Sequence, residues 1–386
     1  MASITREEPH YFGAGPAALP TSVLQQAAQD LINFKGLGLG IGEISHRDKN
    51  AINVIDETKS KLIELLEIPD THEVFFLQGG ATSGFSAIAT NLLAHHAKKT
   101  GKRGKASYVI TGGWSSKAYE EINRFGIESE ILSNSKEIYG SFGKIQPFEE
   151  WNKPSEDSAF VYYCDNETVH GVEFPFVPQY ENVEIVADLS SNILSKKIDV
   201  SKFGVIYAGA QKNVGLAGIT IYIIKKSLLD QANDQELRDL SLPITPISFH
   251  FPTVVKQNSL YNTIPVFTVQ ILNLVLGKLI KDGGLNHQEA LNLQKSSNLY
   301  DILDKYSDFY SLPVDKEFRS KMNVIFKTPS VELEDKFLEG AKEVKLTGLK
   351  GHRSVGGLRA SLYNAVTVES TELLINFVER FAQENK

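Results

Sequence analysis

The sequence predicts an α/β fold: a mostly parallel β-sheet flanked by helices, with a smaller C-terminal α+β domain. Three observations carry that expectation. Short Val/Ile-rich runs alternate with stretches of helical periodicity between residues 74 and 226. Several of these runs end directly in glycine-rich turns, as strands do before a crossover helix. After Lys226 the alternation gives way to an irregular region and then to a different arrangement of helices and strands.

Residues 1–20 read as an extended segment ending in the turn-rich FGAGPAALP. From Thr21, a candidate N-cap, the pairs Val23/Leu24, Ala27/Ala28 and Leu31/Ile32 recur every four residues and predict an amphipathic helix. GLGLGIG follows. Its glycines come after a helix and lack GxGxxG spacing, so it reads as a close-packed loop carrying Ser45, His46 and Arg47 rather than a dinucleotide loop. A second helix is expected over 49–67, with Ile52, Ile55, Leu62 and Leu66 on its apolar face. A strand at 74–77 runs into QGGATSG and a helix bearing Phe85, Ile88, Leu92 and Leu93. Such a turn either aims free backbone N–H groups at an anion or is an ordinary tight βα connection.

Further strands are expected at 108–111, before Gly112-Gly113-Trp114 and another helix, and at 128–132, 159–163, 183–187, 205–208 and 219–224. Past the irregular region come a helix at 265–281 with proline in its first turn, a helix at 287–306 and a strand at 322–326. A helix at 332–345, a strand at 358–362 and a helix from Val368 complete the chain. A boundary near Gly283-Gly284 gives a large domain of residues 18–283 and a small domain of 1–17 with 284–386.

With 386 residues, 42% of them hydrophobic, the chain can bury a large core. Forty Lys+Arg against 47 Asp+Glu leave a net charge of −7, which argues against nucleic acid and anionic membrane surfaces as partners. The first residues, MASITREEPHYF, have no apolar signal core, and no run of about 18 apolar residues occurs, so the cytosol is the expected place. One cysteine, Cys164, excludes an internal disulfide and a cysteine metal cage. The nine histidines have no metal-ligand spacing, and no metal site is expected.

Ligands of parallel sheets gather at the carboxyl ends of the strands. There the sequence places Asp165-Asn166-Glu167-Thr168, Asp188-Leu189-Ser190-Ser191 and Gln211-Lys212-Asn213. Lys212 is either a solvated loop lysine or an amine whose pKa falls among apolar neighbours so that it can form a Schiff base. An amine paired with a carboxylate on a neighbouring strand end, Asp188, is what a pyridoxal phosphate enzyme requires: the carboxylate keeps the pyridine nitrogen protonated. Trp114 is a candidate to stack on such a ring, Thr168 to bond its hydroxyl, and the 79–84 turn to hold its phosphate. Each feature also has a plain structural reading as a cap or packed turn.

In order along nearly the whole chain, FGAGPAALP, GLGIGEISHR, QGGATSGF, GGW, DNETVHGVE, VADLSSNILS, GAQKNVGLAG, YNTIP and GHRSVGGLRASLYNA resemble the phosphoserine aminotransferase family. That family belongs to the class V, fold-type I aminotransferases, which use pyridoxal 5'-phosphate. The resemblance implies a transaminase converting 3-phosphohydroxypyruvate and L-glutamate to O-phospho-L-serine and 2-oxoglutarate, working as a homodimer with shared sites. By similarity Lys212 is the Schiff-base lysine, Asp188 meets the pyridinium nitrogen, Trp114 stacks on the ring and Thr168 meets its hydroxyl. Ala81, Thr82 and Gln211 correspond to binders of the cofactor phosphate, with Asn262 and Thr263 reaching in from the partner subunit. His46 and Arg47, also serving the partner's site, match substrate-phosphate binders together with His352 and Arg353, and Arg359 matches the α-carboxylate arginine.

Guanidinium forks suit that chemistry, because both substrates carry anionic groups at two separated points. One departure stands out: some bacterial members carry arginine in the glycine turn where this chain has Thr82, so one positive substrate contact is missing or replaced. Two other readings stay open at this level, a class V aminotransferase for a different small acceptor and a non-catalytic binding protein on this fold. Cysteine desulfuration is disfavoured, since it needs a thiol on a mobile loop and Cys164 is expected at the end of a buried strand.

Overall fold

The computed structural model describes residues 6–386; residues 1–5, expected at the start of the extended segment, lie outside it. After that segment comes α1 (Thr21–Ile32). Thr21 does not cap it: Pro20 holds the N-cap position, and the Thr21 hydroxyl instead accepts Arg6 Nε–H at 3.0 Å. α2 (Lys49–Leu66) starts from Asp48, whose carboxylate accepts the Asn50 N–H.

Three strand-to-helix units follow: β1 (His72–Gly79) into α3 (Ala81–Thr100), β2 (Lys105–Ile110) into α4 (Gly113–Arg124), and β3 (Ser129–Asn134) into the short α5 (Ser135–Tyr139). β4 (Ser158–Cys164) leads to a small hairpin of β5 (Asn166–Glu167) and β6 (Val172–Glu173). Then come β7 (Glu184–Asp188), β8 (Val205–Gly209) and β9 (Gly218–Lys225). The expected irregular region contains two helices, α6 (Asp234–Asp239) and α7 (Phe251–Lys256), each six residues and too short to show a helical period. The chain ends with α8 (Val266–Lys281), α9 (Gly284–Lys305), β10 (Asn323–Phe326), α10 (Val331–Glu343), β11 (Leu358–Ser361) and α11 (Val368–Asn385).

The main sheet has the order β1-β9-β8-β7-β4-β2-β3. β9 runs antiparallel to both neighbours, and the remaining pairs are parallel. The carboxyl ends of β1, β2, β4, β7 and β8 therefore share one edge with the start of β9. Side chains alternate between two cores: Val74, Phe76, Val161, Tyr163, Ile206 and Ala208 pack on the side of α2 and α8. Phe75, Leu77, Phe160, Tyr162, Val205 and Tyr207 pack on the side of α3 and α4. Because both faces are covered, the strands read as continuous apolar runs rather than alternating ones.

A third core gathers β10, β11 and helices α9, α10 and α11 through Leu299, Leu303, Phe326, Phe337, Leu358, Phe377 and Phe381. Phe12, from the N-terminal segment, is fully buried in it, and burying a side chain of that size stabilises by roughly 1.5–3 kcal/mol. Its backbone is tied in as well, with the Phe12 N–H on Thr347 O at 2.9 Å and the Ser361 N–H on Phe12 O at 3.0 Å. The segment that continues to residue 17 is thereby carried from this core to the strand-end edge of the main sheet.

Candidate active site

The turn between β8 and β9 carries Lys212 onto the strand-end edge. Its Nζ donates to Thr168 Oγ1 at 2.6 Å and lies 5.3 Å from the centre of the Trp114 ring. Part of the side chain is open to the cleft, but the amine end is withdrawn from bulk water. That desolvation holds its pKa below the ordinary lysine value, opposed by Asp188 and Glu167 and reinforced by Arg359. Gly15 crosses the lysine stem with φ 126, and a Cβ there would lie 3.0 Å from Lys212 Cγ. Only glycine lets the N-terminal segment pass so close in that conformation.

Asp188 ends β7 and is 3% exposed. One carboxylate oxygen accepts the Ser190 N–H at 2.8 Å and the other accepts the Tyr207 hydroxyl at 3.0 Å. Cys164 sits beside it in register, and burial raises its thiol well above the usual range, so it is a small core residue rather than a nucleophile.

Two helix starts flank these residues, and the protein treats them differently. At α3, Ser83 returns its N–H and hydroxyl to Gly80 O at 3.1 and 2.7 Å, while the Ala81 and Thr82 N–H groups have no acceptor among the described residues. That end is open to an anion. At α4, the buried Glu167 carboxylate accepts the N–H groups of Trp114 (3.0 Å) and Ser115 (2.8 Å) and the Ser115 hydroxyl (2.6 Å). Burial raises the Glu167 pKa, and these donors oppose the rise. Glu167 fixes Trp114, whose indole Nε1 is enclosed without a partner. Nothing in the DNET stretch itself shows that Glu167 caps this helix, so its role is not legible in the sequence.

Arg359 reaches the same place from β11, in register with Ile325 of β10. It is 9% exposed, donates from Nη1 to Thr168 O at 3.3 Å, and keeps an enclosed Nε without a partner. Among the described residues no carboxylate pairs with it. His352, half-buried, shares a 2.7 Å hydrogen bond with Ser354 through Nδ1; burial lowers its pKa, followed by Arg359, Arg353 and Lys117. Arg353 is exposed. His170, in the turn between β5 and β6, is pushed down to about 4 by burial, with His352 and Lys136 adding. It is therefore neutral near pH 7, its Nδ1 accepting the Gly113 N–H at 3.2 Å and its ring edge-on to Phe142.

Gln211 lies next to Lys212, its carbonyl accepting the Ala17 N–H at 2.9 Å and its Oε1 enclosed without a partner. Within one chain, by contrast, no hydrogen bond or ion pair among the described residues joins His46, Arg47, Asn262 or Thr263 to this cluster. His46 is half-buried with an enclosed, unpartnered Nε2. Arg47, Asn262 and Thr263 are exposed.

The aminotransferase class-V family model matches residues 10–374. A phosphoserine aminotransferase of Saccharomyces cerevisiae is 56% identical, covering 99% of this chain and all of its own length. The phosphoserine aminotransferase of Bacillus circulans subsp. alkalophilus superposes with a TM-score of 0.90 at 37% identity, over 99% of this chain and 100% of its own. A PLP-bound phosphoserine aminotransferase from Trichomonas vaginalis gives 0.87 at 34% identity, over 97% of this chain and 100% of its own. Likeness of this extent spans both the sheet and the C-terminal unit, and the chain belongs to the class V aminotransferases, among the phosphoserine aminotransferase family.

Proposed function

We propose that the chain is a pyridoxal-phosphate-dependent transaminase that passes the amino group of L-glutamate to 3-phosphohydroxypyruvate, giving 2-oxoglutarate and O-phospho-L-serine in serine biosynthesis. The observation that carries it is an enclosed amine, Lys212, in the field of a buried carboxylate, Asp188, and a buried guanidinium, Arg359, that pairs with no carboxylate among the described residues.

The residues present fit the cofactor. Among the described residues, unpartnered donors are available to a flat, phosphorylated ring: Trp114 Nε1, and the Ala81 and Thr82 N–H groups at an open helix start. In this reading Ala81, Thr82 and Gln211 hold the phosphate, Trp114 stacks on the ring, Thr168 bonds its hydroxyl and Asp188 faces its nitrogen. When bound, pyridoxal phosphate supplies an electron sink for the carbanion at the substrate Cα.

The chain's own side chains do the rest. Desolvation favours the neutral Lys212 amine, the form that can attack a carbonyl carbon or accept the proton from Cα. Thr168 Oγ1, 2.6 Å away, holds that amine in place. Arg359 takes the α-carboxylate through its planar fork, and its Thr168 contact keeps the clamp next to the lysine. His352 and Arg353 bind the substrate phosphate, together with the partner subunit's His46 and the partner subunit's Arg47. The partner's Asn262 and the partner's Thr263 complete the cofactor phosphate site.

We take the active form to be a homodimer in the cytosol, with no nucleic-acid or membrane partner. None of the described helices is long and apolar enough to cross a membrane. Residues 18–283 make the large domain of this reading, and residues 1–17 with 284–386 the small one, a division supported by the burial of Phe12 in the C-terminal core.

The test uses purified protein loaded with pyridoxal phosphate. Phosphoserine is expected to bleach the visible cofactor band and alanine to leave it, and phosphorylated hydroxypyruvate to be turned over far faster than hydroxypyruvate. Lys212→Ala is expected to fold and lose transamination. Equal rates with the two acceptors, or turnover by Lys212→Ala, would overturn the reading.

A further inference from the structure

Beside Asp188, buried in the sheet, stand two tyrosines that the reaction as described does not use. Tyr207 is the register partner of Asp188 on β8, and Tyr162 lies on β4, the strand on the other side of β7. All three side chains point to the α3 face of the sheet. The Tyr207 hydroxyl donates to Asp188 Oδ2 at 3.0 Å, and the Tyr162 and Tyr207 hydroxyls are 2.8 Å apart. Both tyrosines are fully buried.

The direction of the chain follows from proton counting. Burial holds both phenols far above their ordinary pKa, so each carries one proton at any working pH. A carboxylate only accepts, so Tyr207 gives its proton to Asp188 and must accept from Tyr162. Hydrogen bonds arranged in series polarise one another in a low-dielectric interior.

We propose that Tyr207 and Tyr162 are positioning residues whose hydrogen-bond chain, Tyr162 to Tyr207 to Asp188 Oδ2, holds the Asp188 carboxylate aimed at the cofactor's ring nitrogen. The proposal rests on the reading of Asp188 as that nitrogen's partner. The packing agrees with a held geometry. The Tyr207 ring stacks on Tyr222 at 5.9 Å, and a Cβ on Gly84 would lie 2.7 Å from Tyr207 Cε2. Gly84, the last glycine of QGGATSG, therefore lets the open helix start of α3 rest directly on the tyrosine that holds Asp188.

Without the phenol donor the Asp188 carboxylate keeps the Ser190 N–H but loses the bond that fixes Oδ2. With the cofactor bound, a carboxylate less firmly held would pair less well with the ring nitrogen, the ring would withdraw fewer electrons, and the visible absorbance would titrate at higher pH. The other groups facing Asp188 stay in place in the test: Lys212 from the β8–β9 turn, Glu167 and Cys164 from the end of β4 and the hairpin after it, and Tyr222 from β9.

The experiment is a pH titration of the visible absorbance of the holoenzyme for wild type, Tyr207→Phe and Tyr162→Phe. The cofactor dissociation constant is measured in parallel by equilibrium dialysis, and near-ultraviolet circular dichroism checks the fold. Tyr207→Phe is expected to raise the titration midpoint by about one pH unit and to hold the cofactor several-fold more weakly. Tyr162→Phe should move the midpoint the same way by less. An unchanged midpoint in either folded variant, or a larger shift in Tyr162→Phe than in Tyr207→Phe, overturns the proposal. Failure of the wild type to take up the cofactor would instead overturn the functional reading itself.

Discussion

A buried guanidinium with no carboxylate beside it is costly, because the charge is taken from water and its hydrogen bonds are only partly replaced. Arg359 is in that state, one Nη1 bond to a carbonyl and an idle Nε, and the cost is explained if an anionic substrate completes the pairing. The expected signature of Arg359→Ala is a loss of at least about 100-fold in kcat/KM for glutamate, about 2.7 kcal/mol, with an unchanged or higher Tm. A structural arginine would show the reverse, a lowered Tm and a modest kinetic loss. Arg359→Lys restores charge but not the planar fork, so kcat/KM should remain well below wild type. The pH profile adds a sign. The Arg359 charge disfavours the Lys212 ammonium, so its removal in Arg359→Ala should raise the Lys212 pKa and, since the neutral amine is the working form, move the acidic limb to higher pH. In Arg359→Lys that limb should stay near its wild-type position.

At the scale of elements, α4 is aimed by a carboxylate rather than by a ligand. Glu167 caps the Trp114 and Ser115 N–H groups, so the indole is placed before any cofactor arrives. Glu167→Gln turns an acceptor oxygen into an NH2 donor facing an N–H, which should cost about 1–3 kcal/mol in a urea melt. It should also weaken cofactor binding, because Trp114 loses its anchor. Unaltered stability together with unaltered cofactor affinity would show that α4 needs no such cap. The elements themselves were largely legible in the sequence, since buried strands must be apolar on both faces and the helices covering them must show a period. The same two-sided burial hid Tyr162 and Tyr207, which look like ordinary core aromatics until the register sets them beside Asp188. Lys212, Asp188 and Thr168 were legible as polar residues at strand ends, and Arg359 through the family resemblance of GHRSVGGLRASLYNA; the fold brings Lys212 and Arg359 both onto Thr168. α6 and α7, of one or two turns, carry too few residues to declare a period.

For the whole molecule the question is what His46, Arg47, Asn262 and Thr263 serve, since they do not join the cluster of their own chain. They stand among exposed apolar side chains. Leu31, Ile32, Leu37 and Leu39 precede His46, Ile32 being 70% exposed, and the exposed Tyr261 precedes Asn262. Exposed apolar side chains beside unused polar groups are what an isologous interface with shared sites would leave on one protomer. Complementation separates sharing from mere dimerisation. Lys212→Ala and Arg47→Ala are each expected to be severely impaired alone. In a heterodimer of the two, one site takes its lysine from the Arg47→Ala subunit and its arginine from the Lys212→Ala subunit, and is whole; the other site lacks both. Random reassortment after mild dissociation makes half of the dimers mixed, so activity should rise to roughly a quarter of wild type. If Arg47 instead served its own chain, every site in the mixture would lack one group or the other, and mixing would restore nothing.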